Sequence, residues 1–408
     1  MTDRSLDARL VQTLPVLADP AATLTQVGGL RAAGVSASIK ASGRPDVALL
    51  VSDAPMACAG VFTQSLFAAA PVVVSREHLA RAGGLIRAVV VNSGNANACT
   101  GAEGEANARE MCARVAAALG LRDDEVLVCS TGVIGVQLPM EKVRAGIDAA
   151  LAALSSEPEA GRRFLQAIMT TDAFPKEDGA VEGEVTVAGV CKGAGMIHPD
   201  MATMLAFVAT DAAYTPAALQ ERIGAVAAES FNAVHVDSHP STNDTFLLFS
   251  TGTGASGGPE VDAVITRVAS RLAWLIARDG EGATKVTTIE VTGAIDDAAA
   301  RAVADHVAMS ALVRTALFGN DPNWGRFVSQ VGNAKAVRSV EGLRCSLQGV
   351  TVFEHGAPTR FDRAALSKAM RAEDLSLTIT LCEGEGRARL MTSDLGYRYV
   401  EVNAEYTT

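Results

Sequence analysis

The threonine at position 203 stands where a side-chain hydroxyl can become a nucleophile. In KGAGMIHPDMATMLAF, residues 192–207, a turn rich in glycine and proline runs directly into a hydrophobic strand, with Thr203 at the junction. A hydroxyl on the first residue of a buried strand is held rigidly, and the turn before it can store backbone strain next to one peptide bond. Such strain favours attack by the Thr203 hydroxyl on the Ala202 carbonyl, which turns the amide into an ester that water then opens. The product starts at Thr203, whose α-amine, with a pKa of about 7.7–8.0, can serve as its own general base. On spacing alone, a threonine that merely opens a strand is the stronger reading.

The other reactive residue types form no comparable pattern. Seven cysteines, at 58, 99, 112, 129, 191, 345 and 382, make neither a CxxC pair nor a His/Cys cluster. That scattered, odd count argues against a disulfide framework and against a zinc site. His235 and His239 share an i, i+4 spacing, but HVDSHPSTND reads as strand then turn, so no metal is expected. No GxxxxGK[ST] occurs, and no GxGxxG opens a helix after a strand, which leaves no nucleotide-binding loop.

The elements that must position Thr203 alternate between strand and helix. VVV at 72–74, AVVV at 88–91, EVLVC at 125–129, EVTVAGV at 184–190 and TMLAFVAT at 203–210 read as buried strands. Helices are expected over 103–119, stopped by Gly120, and over 139–154, with Pro139 suited to its first turn. Further helices are expected at 216–230, 261–277 and 298–317, and strands at 245–250, 286–292, 346–353 and 375–381. The tail YRYVEVNAEYTT alternates like a strand. The pattern is that of an α/β protein of layered sheets and helices, with no internal repeat and no linker.

Composition sets the outer limits. The 408 residues are 49% hydrophobic and 20% charged, an ordinary globular balance able to bury a sizeable core. Net charge is −11. Cut before Thr203, the two parts carry 17 basic against 22 acidic residues and 18 against 24, so neither end is a charged tail. A nucleic-acid binder would show a basic patch or stripe, and none is visible. No apolar run reaches membrane-spanning length, and MTDRSLDARL lacks the apolar core of a signal peptide. A soluble cytoplasmic protein is expected.

Longer segments carry a more specific signal. KGAGMIHPDMATML resembles the self-cleavage segment of the ornithine acetyltransferase family, also called bifunctional glutamate N-acetyltransferase / amino-acid acetyltransferase, of arginine biosynthesis. VVVNSGNANACTG, STGVIG, TTDAFPK, STNDT, GEGATK, GNDPNWGR and VNAEYTT resemble further family segments, in family order. They run from about residue 90 to the last residue, with weaker likeness earlier.

The resemblance implies a self-cleaving N-acetyltransferase that moves acetyl from N2-acetylornithine to glutamate through an acetyl-threonine intermediate. It implies cleavage between Ala202 and Thr203 into an α fragment, 1–202, and a β fragment, 203–408, with Thr203 as nucleophile. Thr131 and Gly132 match the oxyanion-hole positions, where a strand-end turn aims a hydroxyl and a backbone N–H at one point. Lys192 matches a substrate-binding lysine suited to a carboxylate, and Glu281 a substrate-binding glutamate suited to an ammonium. In TTDAFPK a threonine belongs to the binding site, either Thr170 or Thr171, and Asn403 and Thr408 match further substrate-binding residues. The implied fold is a layered α/β/β/α sandwich of the self-processing, N-terminal-nucleophile-like type, with two intertwined fragments paired into an α2β2 assembly. No tightly bound cofactor is implied; bifunctional members also take acetyl from acetyl-CoA as a co-substrate.

The chain departs from the family pattern at His198 and Asp200, where a small residue and an asparagine are expected, and in VDSHPSTND, where VDGDTSTND is expected. The first bears on the rate of self-cleavage and the second on local structure near the site. The rival reading is a self-processing aminopeptidase or amidohydrolase of related architecture, in which water takes the acyl group. A related one is an acetyltransferase recruited to a secondary-metabolite pathway. A non-catalytic oligomeric binding protein is disfavoured by the intact Thr203 and its Thr131–Gly132 pair.

Overall fold

A long strand that bends in its middle organises the first two-thirds of the molecule. The computed structural model describes residues 20–198 and 204–405. Among these the strands in chain order are β1 (Leu30–Val35), β2 (Val47–Phe62), β3 (Leu85–Asn95), β4 (Val126–Val133), β5 (Lys176–Glu182), β6 (Val185–Lys192), β7 (Leu205–Thr210), β8 (Val234–His235), β9 (Thr245–Ser250), β10 (Val286–Ala294), β11 (Arg344–Leu347), β12 (Val350–Glu354), β13 (Ala357–Pro358), β14 (Asp374–Thr380) and β15 (Gly386–Ser393). The first sheet runs β4-β3-β2-β9-β7-β6-β5, with β1 also paired to β2. A register shift between Val51 and Met56 divides β2. Its first half pairs with β1 and β3, and its last six residues pair with β9.

Side-chain alternation along β2 shows how the layers stack, because successive residues of a strand face opposite sides. Val47, Leu49 and Val51 pack under the helices Ala70–Arg81, Gly101–Leu119 and Met140–Ala152. Ala48 and Leu50 share a second core with Cys58 and Phe62, and with Phe207, Leu247 and Phe249 from the other half of the sheet. Ala57 and Ala59 face a third core, under the helices Pro216–Glu229 and Pro259–Arg278. The order is therefore helices, half-sheet, half-sheet, helices: the layered α/β/β/α arrangement. The third core continues into the second sheet, β13-β12-β11-β14-β10-β15-β8, and its helices Asp297–Met309 and Ala311–Phe318.

Several elements differ from the sequence reading. Residues 72–74 lie in the helix Ala70–Arg81, not in a strand. Pro71 sits in the first helical turn, where its missing N–H costs nothing. The Ser75 hydroxyl fixes the helix on β4, donating to the Val128 carbonyl at 2.7 Å and accepting from the Val128 N–H at 2.8 Å. Tertiary packing here overrides the β-propensity of three valines. The expected helix over 298–317 is two helices, broken at Ser310, whose hydroxyl caps the second by accepting from the Val313 N–H at 3.3 Å. The expected strand 346–353 is a hairpin of β11 and β12, turning at Gln348 and Gly349, both with positive φ. The tail, expected as a strand, forms the helix Tyr397–Glu405.

Candidate active site

A cleft of about 250 Å³ opens where strand ends of the first sheet meet the C-terminal helix. The end of β4 supplies Thr131 and Gly132, the end of β6 supplies Lys192, and the following turn supplies Ala194, Gly195 and Met196. The loop before β9 supplies Asp237, His239 and the residues 241–243; Thr170 and Thr171 form another wall, and Glu281, Tyr399 and Asn403 complete the lining. Seven residues singled out in the sequence thus meet in one place: Thr131, Gly132, Thr170, Thr171, Lys192, Glu281 and Asn403. Both threonines of TTDAFPK line the cleft, so position alone does not choose between them. Ala202, Thr203 and Thr408 lie outside the described residues, as does Asp200. The chain re-enters at Met204, whose N–H donates to Asp244 at 3.2 Å, and Leu205 then pairs with Lys192 across the ladder.

The Thr131–Gly132 turn is built by buried asparagines. Gly132 has φ +133 and lies against the β3 backbone: a Cβ there would fall 2.5 Å from the Asn95 nitrogen and closer still to the Gly94 carbonyl carbon. Only glycine fits both the angle and the space. The Asn92 amide donates to the Asn95 carbonyl at 2.9 Å and its oxygen accepts from Ser130 at 2.6 Å. The Asn95 amide donates to the carbonyls of Val136 and Gln137 at 3.0 and 3.2 Å. From the opposite wall, the Asn243 amide donates to the carbonyls of Ala96 and Ser130 at 2.6 and 2.9 Å, which clamps the STNDT segment onto the turn.

Asp237 and Glu281 fix the segment that follows Lys192. The Asp237 carboxylate accepts from the Met196 N–H at 2.6 Å and the Ile197 N–H at 2.7 Å, and burial pushes its carboxyl up from the usual range. The Glu281 N–H donates to the Ala194 carbonyl at 2.9 Å, and the Asn403 amide donates to Glu281 Oε2 at 2.9 Å. A Cβ on Gly195 would lie 2.5 Å from that carboxylate, so Gly195 makes room for Glu281. On the C-terminal helix, Tyr399 and Asn403 stand four residues apart and so share one face, which lines this wall, while Tyr397 packs edge-on against Phe318.

Beneath the cleft lies a buried charge cluster whose role the sequence reading missed. The fully buried Lys176 ammonium donates to Asp172 Oδ1 at 2.6 Å and to Asp279 Oδ2 at 2.5 Å. Asp172 also accepts from the Gly193 N–H at 2.8 Å and, through Oδ2, from the Thr170 N–H at 2.8 Å. Asp279 accepts from the Ala173 N–H at 3.0 Å. The cluster thus joins the Thr170–Thr171 wall, the Lys192–Gly193 strand end and the Glu281 loop. Burial alone would raise the Asp172 carboxyl, but Lys176, Lys192 and the Gly193 N–H hold it well below the usual range. Burial, with the neighbouring Asp172 charge, pushes Asp279 up to about 6 against the pull of Lys176. The signal was present in TTDAFPK, where Asp172 and Lys176 stand four apart in an otherwise uncharged stretch. Burial itself disfavours the charge on Lys192, lowering its pKa.

The expected departures are visible too. His198 Nδ1 lies 3.2 Å from His235 Nε2, and His239 stands at the cleft wall. Among the described residues no group of His, Cys, Asp and Glu is arranged to hold a metal ion, and no helix is long and apolar enough to cross a membrane.

Comparison with known proteins gives the family. The ArgJ family model matches residues 31–408. The arginine biosynthesis bifunctional protein ArgJ of Rhodopirellula baltica is 45% identical over 404 residues, covering 96% of this chain and 98% of that one. Its counterpart from Nitratidesulfovibrio vulgaris is 46% identical over 390 residues, covering 93% and 98%. A chain of the Mycobacterium tuberculosis ornithine acetyltransferase, solved in complex with ornithine, is 39% identical over 45% of this chain and 96% of its own, with a TM-score of 0.40. With a family model matching residues 31–408 and relatives covering more than nine-tenths of both chains, the chain belongs to the ArgJ family.

Proposed function

We propose that this chain cuts itself before Thr203 and then transfers an acetyl group from N2-acetylornithine to glutamate, with Thr203 as nucleophile. One observation carries the reading: four distant stretches bring Thr131, Gly132, Lys192, Glu281 and Asn403 to one cleft, beside the start of β7 that follows Thr203. The ArgJ names of the full-length relatives place it in arginine biosynthesis.

Self-cleavage converts the Ala202–Thr203 amide into an ester on the threonine oxygen, and water opens the ester. This leaves a carboxylate on Ala202 and a free α-amine on Thr203. In the first half-reaction that amine takes the hydroxyl proton while the oxygen attacks the acetyl carbonyl. The Thr131 hydroxyl and the Gly132 N–H receive the oxyanion, and the proton passes to the departing ornithine amine. An acetyl-threonine ester remains. The α-amine of glutamate then attacks the ester, and N-acetylglutamate leaves with the threonine hydroxyl restored. Two easier steps replace one difficult amide exchange, and ping-pong kinetics follow. Donor and acceptor share an α-carboxylate, which Lys192 receives, while Glu281 takes the ammonium group of the substrate. Acetyl-CoA is proposed as a second acetyl donor of the same threonine.

A cut at 202/203 would leave two chains sharing one sheet, because β7 lies between β6 and β9 with ladders to both. The fragments would stay joined, in an α2β2 particle of twice 42.1 kDa.

The decisive experiment is intact mass and N-terminal sequencing of the purified protein, followed by an exchange assay with labelled N-acetylornithine. Two fragments, the second starting TMLAF, with label passing to glutamate, are expected; Thr203→Ala should give one uncut, inactive chain. Release of free acetate with no transfer to glutamate would favour the self-processing hydrolase. A chain that stays uncut on long incubation and exchanges nothing would refute the mechanism.

A further inference from the structure

Lys192 presents a difficulty that the rest of the cleft must solve. A lysine at this depth tends to lose its proton, because burial disfavours the charged form, and Lys192 is only 3% exposed. A neutral amine would not hold a substrate carboxylate. The groups acting on it are Asp172, Lys176, Asp244 and Glu281, with Lys40 further round the cluster. Lys40 and Lys176 repel its charge. Asp244 also favours the charge on Lys192; it is buried, and its Oδ1 accepts from the Met204 N–H at 3.2 Å, just before β7. Glu281 faces Gly195 and receives the Asn403 amide, at the wall where the substrate ammonium is placed.

Asp172 acts most strongly of the three carboxylates, and its geometry is that of a carboxylate kept ionised. Its oxygens accept from Lys176, from the Gly193 N–H and from the Thr170 N–H, three donors on a fully buried side chain. Gly193 is the residue that follows Lys192, so this contact also fixes the strand end that bears the lysine. Lys176 has Asp279 as a second counter-ion at 2.5 Å, which leaves part of the Asp172 charge for Lys192.

We propose that Asp172 is a positioning residue for substrate: its carboxylate, anchored on the Gly193 and Thr170 N–H groups, keeps the Lys192 ammonium charged at the cleft wall, where it binds the α-carboxylate. The proposal rests on the reading of Lys192 as the carboxylate-binding residue. Asp172 touches no substrate; it acts through Lys192.

The test is a titration of Lys192 in the folded protein without substrate, by NMR of lysine labelled with 13C at Cε. The Lys192 signal is identified by its loss in Lys192→Arg. Asp172→Asn should lower the titration midpoint by about one pH unit, the effect expected of losing a nearby opposite charge in a buried site. Lys176→Met should move it the other way, since it removes a repelling cation and leaves Asp172 to Lys192. Damage to packing alone has no reason to give shifts of opposite sign. In the exchange assay, Asp172→Asn should raise KM for both amino-acid substrates about tenfold, and the rise should shrink as the pH is lowered and protonation of Lys192 is favoured again. An unmoved midpoint in Asp172→Asn, or shifts of the same sign in both variants, overturns the proposal; if Asp172→Asn does not fold, a Lys176→Met midpoint that fails to rise overturns it. Because the midpoint is read without substrate, it decides the point whether or not the wild type exchanges acetyl groups, and a wild type that exchanges none refutes the functional reading instead.

Discussion

Replacing Gly132 by alanine should abolish exchange while leaving the fold standing, and the structure gives the size of the effect. The added Cβ would lie 2.5 Å from the Asn95 nitrogen, about 1 Å inside an ordinary non-bonded contact of roughly 3.5 Å. No side chain can swing away to relieve this, because the opposing atoms are β3 backbone. The β3–β4 ladder is already irregular here, with Asn95 opposite both Thr131 and Val133. Relief must come from moving the Thr131–Gly132 turn by about that 1 Å, away from where the oxyanion forms. Strain at φ +133 costs about 1–3 kcal/mol, and overpacking against backbone costs about the same again. Loss of one oxyanion donor costs roughly 10²- to 10³-fold in kcat. The expected outcome is therefore a melting point lowered by several degrees and kcat down at least about a hundredfold, with KM little changed. Gly135→Ala is the matched control in the same turn. Its φ is +81, but a Cβ there meets nothing within 4 Å, so it should cost about 1 kcal/mol of stability and keep most of the activity. Steady-state exchange kinetics and thermal melts on both variants decide the matter. A Gly132→Ala enzyme within about tenfold of the wild type would refute the placement of the oxyanion at this turn, and a Gly135→Ala enzyme equally dead would show that the turn's conformation, not its contact with Asn95, is what matters.

Three further outcomes are expected. Asn243→Ala leaves the buried carbonyls of Ala96 and Ser130 without their donor, at about 1–3 kcal/mol each; a urea midpoint unchanged from the wild type would show that the clamp contributes nothing. Gly195→Ala drives a Cβ against the Glu281 carboxylate and should raise KM for the amino-acid substrates about tenfold with self-cleavage intact, so a variant with wild-type KM counts against Glu281 as a substrate contact. His235 is buried, and burial first, then His198, Arg314 and Arg301, lower its pKa from 6.5 to about 3. The unfolded chain therefore takes up a proton near pH 6.5 that the folded one refuses, so this contribution to stability is complete above pH 6.5 and is lost as pH falls towards 3. The slope is about 1.4 kcal/mol per pH unit. His235→Phe should flatten the fall in denaturant stability between pH 6.5 and 4.5, and an unaltered slope would mean that His235 is not the titrating group.

How much of this was legible in the sequence depends on the range of the interactions involved. The alternation of strand and helix was readable because hydrophobic periodicity is local, and Gly120 and Pro216 mark helix ends by their own backbone chemistry. Val72–Val74 misled because the deciding contact, Ser75 on Val128, spans 53 residues. The tail misled for the same reason: nothing in YRYVEVN reveals that Asn403 must meet Glu281, 122 residues away. Thr131, Gly132, Lys192 and Glu281 were found only through segments resembling a known family, since each alone is an ordinary turn residue. Their supports escaped because a charged residue in a sequence reads by default as solvated. Asp172, Lys176 and Asp279 become intelligible only when burial is known, for burial turns three charges into a brace between two cleft walls. The same holds for the asparagines of VVVNSGNANACTG, which read as a polar loop yet hold the Gly132 turn from beneath. The residues that would touch substrate are few and could be matched one by one, whereas those that hold them in place form a network, and a network is a property of the fold.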